Sequence, residues 1–123
     1  MPLLQFDTTL TLSPSDRRAF AERVTDVYTD EMATERGHVA VTIREREPGE
    51  LFIGRGVEGP LLFLDAEIRR GRSAERKRAF ALGVMSYATE AFDVPEPNQK
   101  VVFTEHPGAN MMGVDRVGGE WEP

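Results

Sequence analysis

The run Arg17-Arg18-Ala19-Phe20-Ala21-Glu22-Arg23-Val24 returns sixty positions later as Lys77-Arg78-Ala79-Phe80-Ala81-Leu82-Gly83-Val84. The flanking segments repeat as well, Pro2–Asp7 as Pro60–Asp65 and the strand-like run His38–Ile43 as Gln99–Phe103. Two copies are too few for a solenoid. The repeat therefore predicts a single domain, residues 1–123, built from two related halves of about 1–58 and 59–123, each a strand, a helix and a strand.

The first helix has clear signals at its start. Ser13 is a favourable N-cap, and Pro14 fits the first helical position because that residue needs no backbone N–H. The apolar residues that follow recur at a helical period and face one way: Phe20, Val24, Val27 and Tyr28. We expect this helix to end near Arg36-Gly37, since glycine accepts the left-handed conformation that closes many helices.

The second helix repeats this pattern. Ser73 caps its start, and Glu75 favours the positive end of the helix dipole. The expected buried stripe consists of Phe80, Val84, Tyr87, Ala88 and Ala91. The segment 93–97 then ends the helix, because its prolines cannot continue it.

The strands are short and rich in β-forming residues: Leu3–Phe6, His38–Arg44, Leu61–Leu64 and Val101–Thr104, with a small extra strand at Leu51–Ile53. Two right-handed β-α-β units predict an α+β, two-layer fold, in which a four-stranded sheet has both helices on one face. We expect the other face to be apolar and uncovered, which predicts a homo-oligomer.

Composition excludes several classes of protein. No apolar run approaches the roughly 18–20 residues that a membrane span needs, and the N-terminus does not resemble a signal peptide. The 123 residues include no cysteine and carry a net charge of −6, which disfavours disulfides and nucleic-acid binding. His38 and His106 lack the spacing of metal ligands, and no glycine motif cradles a phosphate. We expect a cytoplasmic protein with no metal, cofactor, membrane or nucleic-acid partner.

Pro2 is the first candidate for chemistry. Removal of the initiator methionine would leave its ring nitrogen as a free secondary amine. Burial or a neighbouring positive charge lowers the pKa of such an amine, and a neutral amine can abstract a proton beside a carbonyl. The alternative is that proline stands here by chance.

The second candidate is the turn Arg69-Arg70-Gly71-Arg72-Ser73, directly before the second helix. Two guanidinium groups three residues apart can clamp a carboxylate. The alternative is a solvated basic turn that pairs with Glu67 or Glu75.

Together these features resemble the tautomerase superfamily, the group of 4-oxalocrotonate tautomerase and macrophage migration inhibitory factor, and above all its cis-3-chloroacrylic acid dehalogenase branch. The resemblance rests on Pro2, Ser13-Pro14-Ser15, Val24-Thr25-Asp26, Arg44–Gly54, the arginine turn, Pro107, Met111 and Arg116. It implies a homotrimer of tandem β-α-β units. It also implies that Pro2 is the catalytic base, acid or nucleophile, and that Arg69 and Arg72 bind the substrate carboxylate.

The sequence departs from the dehalogenase pattern at three positions. Tyr28 stands where that branch has a catalytic histidine, and it is either catalytic or a core residue. Val102 stands where the branch has a tyrosine, with Phe103 adjacent as a candidate wall for the substrate. Gly113 replaces the glutamate that activates water, and Glu105 and Asp115 are weak candidates to replace it.

These departures favour a tautomerase that interconverts the enol and keto forms of a small 2-oxo or 2-hydroxy-enoic acid. Tautomerisation requires only a base and cations that hold the substrate, whereas dehalogenation also requires an activated water. Two alternatives remain open. One is a dehalogenase-like hydratase or decarboxylase acting on a small unsaturated acid, and the other is a non-catalytic trimeric binding protein.

Overall fold

The computed structural model describes residues 1–121. Its main elements follow one another as β1 (Leu3–Thr8), α1 (Pro14–Met32), β2 (Ala40–Glu45), β3 (Leu62–Arg69), α2 (Ala74–Phe92) and β4 (Gln99–His106). A hairpin of two-residue strands, β5 (Met112–Gly113) and β6 (Arg116–Val117), follows near the C-terminus. In the described residues no helix is long and apolar enough to cross a membrane.

The four long strands form one mixed sheet in the order β2-β1-β3-β4. Each half of the chain contributes a parallel pair, β1 with β2 and β3 with β4, and the halves meet where β1 runs antiparallel to β3. The register sets Phe6 opposite Leu64, so the two copies of the repeat are joined at the middle of the sheet. The predicted pair of β-α-β units is confirmed.

The core lies between the sheet and the two helices. Phe6, Phe20, Tyr28 and Phe80 are its largest fully buried side chains. The ring of Phe6 meets that of Phe20 edge to face, with centroids 4.8 Å apart. The predicted stripes are largely confirmed, but Ala91 is exposed, since α2 turns this position away from the sheet.

The predicted caps are confirmed at both helix starts, where Ser13 and Ser73 accept hydrogen bonds from the backbone N–H groups of Asp16 and Arg76. The predicted end of α1 was wrong. The helix ends at Met32, with Ala33 left-handed at φ 51°, four residues before Gly37. The carbonyls of Glu31 and Met32 accept hydrogen bonds from Arg76 and Arg72 in the other half of the chain, so the helix can end there without a glycine.

The connection from β2 to β3 also differs from expectation. Leu51–Ile53 forms no strand, and the Phe52 side chain is 85% exposed. Asn98, fully buried, holds the end of this connection instead. Its amide donates to the carbonyls of Val57, Gly59 and Pro60, and its Oδ1 accepts from the N–H of Val57.

The uncovered face of the sheet is mainly polar, with Leu3, Phe63 and Val102 as its large apolar residues, which corrects the expectation of an apolar face. Alternation along the strands places these side chains on it: Gln5, Asp7, Thr42, Arg44, Asp65, Glu67, Lys100, Thr104 and His106. Asp7 is paired with Arg44 and Arg46, each at 3.0 Å, and His106 lies 3.0 Å from Glu67. Charge pairing thus takes the place of apolar packing on this face.

Candidate active site

A cavity of about 280 Å³ opens at the end of the sheet where the chain begins. The residues that line it come from the N-terminus, the end of α1, the end of β3 and the C-terminal segment: Met1, Ala33, Thr34, Glu35, His38, Arg69, Arg116, Gly118 and Trp121. We call it the N-terminal cavity. Its walls carry more cations than anions, with Glu35 as the acidic lining residue among the described residues.

Strand β1 fixes the N-terminus at this cavity. Pro2 is buried and lines the adjoining cavity, not this one, and its carbonyl accepts a hydrogen bond from the N–H of Ala40 at 3.1 Å. Burial, together with the positive charges of Arg69, Arg72 and Arg116, lowers the pKa of the Met1 amino group from 8.0 to about 6. An amine at this place is therefore largely neutral at pH 7.

Arg69, the last residue of β3, reaches the cavity wall. Its Nη1 donates to the carbonyl of Gly119 at 2.8 Å. Its Nε is buried and has no hydrogen-bond partner among the described residues. A buried donor without a partner costs free energy.

Arg72 lies behind this wall and does not line the cavity. It is only 5% exposed, and its Nε donates to the carbonyl of Met32 at 3.0 Å. Its charge still acts on the Met1 amine. The turn therefore divides its arginines, with Arg69 facing the cavity and Arg72 holding the end of α1. Gly71 permits this, since its φ of +122° is a conformation that other residues rarely adopt.

Tyr28 and Phe103 both lie in the core. Tyr28 is 1% exposed and meets Phe80 edge to face at 5.1 Å. Burial raises the pKa of its hydroxyl to about 12, although the charges of Arg72 and Arg69 act to lower it. The ring of Phe103 faces α2, 6.2 Å from that of Phe80. Neither residue lines the N-terminal cavity in this chain.

Arg116 and His38 also line the cavity, although neither was predicted as a site residue. Arg116 lies on β6, and its Nη1 donates to Nε2 of His38. That nitrogen is also 3.4 Å from Oε2 of Glu35. No periodicity points to Arg116, and only its place in the family resemblance singled it out. Trp121, to which the sequence assigned no role, lies against the arginines of its own chain.

The carboxylates proposed to replace the missing glutamate differ in their placement. Glu105 is paired with Lys77 at 3.0 Å, away from the N-terminus. Asp115 lines an adjoining cavity of about 430 Å³ together with Met1, Pro2 and Gly113. In the part of the chain that the structure describes, no three His, Asp or Glu side chains gather as metal ligands do.

The sequence model of a family described as tautomerase enzymes matches residues 63–119. No curated protein sequence matches the chain.

Several solved structures share the fold. N1, a member of the cis-3-chloroacrylic acid dehalogenase family, is 24% identical with a TM-score of 0.84 over 96% of this chain and 84% of its own. Macrophage migration inhibitory factor of Toxoplasma gondii is 15% identical with a TM-score of 0.80 over 94% of this chain and 98% of its own. A fused 4-OT that forms a symmetric trimer is 17% identical with a TM-score of 0.79, over 95% and 94%. At these identities the likeness establishes the fold.

Proposed function

We propose that this chain, whose residues 63–119 match the tautomerase family model, is a tautomerase in which Pro2, freed by removal of Met1, acts as the base. The substrate is a small 2-oxo or 2-hydroxy-enoic acid that interconverts between enol and keto forms. The observation that carries the proposal is the position of the Met1 amine, next to Pro2, where burial and the charges of Arg69, Arg72 and Arg116 lower its pKa.

The carboxylate of the substrate binds at Arg69. This side chain lines the cavity, and its guanidinium group is held in place by the carbonyl of Gly119. Arg116 adds a second cation to the same wall, and Arg72 strengthens the positive field from behind. A charge-assisted hydrogen bond to a carboxylate is about twice as strong as a neutral one. A cavity of about 280 Å³ suits a small acid better than a polymer.

The proton then moves through Pro2. Its neutral nitrogen takes the proton of the enol hydroxyl, the C–O bond becomes a carbonyl, and the carbon–carbon double bond takes a proton back from the prolinium. No atom is gained or lost, and the nitrogen returns to its neutral state. The guanidinium groups stabilise the negative charge that develops on the substrate oxygens during this transfer.

The test begins with the intact mass of the purified protein, which shows whether Met1 has been removed. Ketonisation of phenylenolpyruvate and of 2-hydroxymuconate is then followed by absorbance. Pro2→Ala keeps a terminal amine but loses the ring, and we expect its kcat/KM to fall by about 100-fold, a loss typical of acid–base catalysis. Undiminished turnover by Pro2→Ala would overturn the proposal.

A second candidate is hydration or decarboxylation of a small unsaturated acid. The observation that favours it is the position of Asp115. This carboxylate lines the same cavity as Pro2 and as Gly113, the residue that replaces the water-activating glutamate. Asp115→Asn would abolish hydration while leaving ketonisation unchanged. Borohydride trapping of an adduct on Pro2 would identify covalent chemistry with a carbonyl substrate.

We further propose that the protein is a homotrimer. Support comes from the fused 4-OT, which shares the fold and forms a symmetric trimer, and from the uncovered sheet face. Leu3 and Val102 on that face are 36% and 48% exposed. Sedimentation velocity would give a mass near three chains, while a monomer at micromolar concentration would contradict this. A non-catalytic trimeric binding protein would form the same trimer without turnover.

A further inference from the structure

The C-terminal segment 118–121, here called the strap, crosses the arginine turn. The carboxylate of Glu120 accepts two hydrogen bonds from Arg70, at 3.1 Å from Nε and 3.2 Å from Nη2. The carbonyl of Gly119 accepts from Nη1 of Arg69 at 2.8 Å. Consecutive residues of the strap thus bond to consecutive arginines of the turn.

Trp121 completes this contact. The guanidinium carbon of Arg72 lies 4.9 Å from the centroid of the indole ring, and that of Arg76 lies 5.3 Å from it. Both distances are within the range of a cation–π interaction. Gly71 lies against the same residue, and a Cβ there would be 3.3 Å from the Trp121 carbonyl oxygen. The ring therefore lies on the turn itself.

The path of the strap is fixed by its neighbours. The N–H of Gly118 donates to the carbonyl of Met111 at 2.8 Å. Gly108 passes so close to Gly118 and Gly119 that a Cβ on Gly108 would collide with the backbone of both. The strap can therefore pack against residue 108 only because that residue is glycine.

The two arginines under the ring are each tied at one other point. Arg72 donates to the carbonyl of Met32, and Arg76 donates to that of Glu31, both at 3.0 Å. One hydrogen bond leaves a guanidinium free to pivot. The indole ring removes that freedom, because both guanidinium groups lie against it.

We propose that Trp121 is a positioning residue for carboxylate binding: its ring holds Arg72 and Arg76 in place and so fixes the turn that carries Arg69. The inference rests on the proposed function for the identity of the substrate, but not for the binding of a carboxylate. Trp121 acts through the arginines, so its loss weakens binding more than it slows proton transfer.

The experiment compares Trp121→Leu, which keeps apolar volume without a π face, with Trp121→Phe, which keeps a ring. Val114→Ala is the matched control, since Val114 is fully exposed on the turn of the β5–β6 hairpin. Calorimetry measures the binding of 3-phenylpropanoate, a carboxylate with no enol to ketonise. Kinetics with phenylenolpyruvate gives KM, kcat and the pH profile, and circular dichroism verifies folding.

We expect Trp121→Leu to raise both Kd and KM about tenfold, the effect of losing two partly desolvated cation–π contacts, with kcat within about twofold. The low-pH limb of its kcat/KM profile should move to higher pH, because a mobile Arg72 no longer holds its charge beside the terminal amine. The Kd and KM of Trp121→Phe should stay within about threefold of the wild-type values, and those of Val114→Ala should equal the wild-type values.

Equal Kd values for Trp121→Leu and wild type, equal losses in Trp121→Leu and Trp121→Phe, or a wild type that does not bind 3-phenylpropanoate would overturn the inference. If no form ketonises the enol but Trp121→Leu still binds 3-phenylpropanoate about tenfold more weakly than Trp121→Phe, the inference stands and the tautomerase proposal fails.

Discussion

Arg72 donates a hydrogen bond from Nε to the carbonyl of Met32 at 3.0 Å, and this contact joins the two halves of the chain. Met32 ends α1 in the first β-α-β unit, whereas Arg72 precedes α2 in the second. A helix leaves its last carbonyls without internal partners, and cations near that end are favoured by the helix dipole. Arg72 thus supports the fold and the positive field of the N-terminal cavity at once.

Arg72→Ala is accordingly expected to destabilise the protein. The variant loses a buried, charge-assisted hydrogen bond, which corresponds to a decrease of about 2 kcal/mol in the free energy of unfolding. Urea denaturation monitored by circular dichroism measures the change. Arg78→Ala, at an exposed position on α2, should stay within about 0.5 kcal/mol of wild type. Equal stability of the two variants would show that Arg72 does not support α1.

Local signals explain how much of the fold the sequence could predict. Ser13 and Ser73 cap helices through bonds to residues three positions on, so the sequence contains all that these caps need. The end of α1 was mispredicted because its partner Arg72 lies forty residues away. The same holds for the uncovered sheet face, where Asp7 is paired across strands with Arg44.

In the candidate site, too, residues beside local sequence features could be predicted, whereas residues placed by long-range contacts could not. Pro2 and Arg69 were predicted because each lies beside a recognisable local feature, a chain start and a helix start. Arg116 and Trp121 reach the cavity only because the C-terminal segment folds back over the arginine turn. The C-terminal segment takes this path because Gly108 and Gly118 pack together, and no sequence pattern predicts that contact.

The pH dependence of activity follows from the charges around the terminal amine. Burial and nearby cations disfavour its protonated form, so the pKa of Pro2 nitrogen should lie below its ordinary value, as that of the Met1 amine does. Activity should rise with pH through this lowered pKa, because only the neutral amine accepts a proton. Arg69→Ala removes one cation, which raises the pKa and moves the limb to higher pH.

The measurement is kcat/KM for phenylenolpyruvate between pH 5 and pH 9, which reports the pKa of the free enzyme. Arg69→Ala should lose more activity, relative to wild type, at about pH 6 than at about pH 8.5. Arg55→Ala, in the exposed connection between β2 and β3, serves as the control and should leave the limb in place. An unmoved limb in Arg69→Ala would contradict the electrostatic role given to Arg69.

Asn98 should matter for stability and not for chemistry. It is fully buried, and its amide and carbonyl groups satisfy the backbone of the segment 57–60 through four hydrogen bonds. Asn98→Ala leaves several of these groups without partners, which should lower the free energy of unfolding by about 3 kcal/mol. The exposed Asn110→Ala should change it little. If Asn98→Ala denatures at the same urea concentration as wild type, water replaces the amide without cost.

Asp7 gives a prediction for acid stability. Hydrogen bonds from Arg44, and then from Arg46, hold the pKa of its carboxyl below the ordinary 3.8. A carboxyl whose pKa is lowered by folding stabilises the protein above the unfolded value, and this stabilisation is lost as the pH falls through the folded value. Asp7→Asn should therefore be less stable than wild type at pH 7, by about 1 kcal/mol because solvent screens the pair.

The difference between Asp7→Asn and wild type should shrink below about pH 4 and disappear near pH 2. Urea denaturation at pH 7, 4 and 2.5 tests this, with the exposed Asp30→Asn as control. One molar salt should reduce the difference at pH 7, since it screens half-exposed charges. A difference that persists unchanged at pH 2.5 would mean that Asp7 stabilises the sheet through the shape of its hydrogen bonds, which an amide disrupts at any pH, and not through its charge.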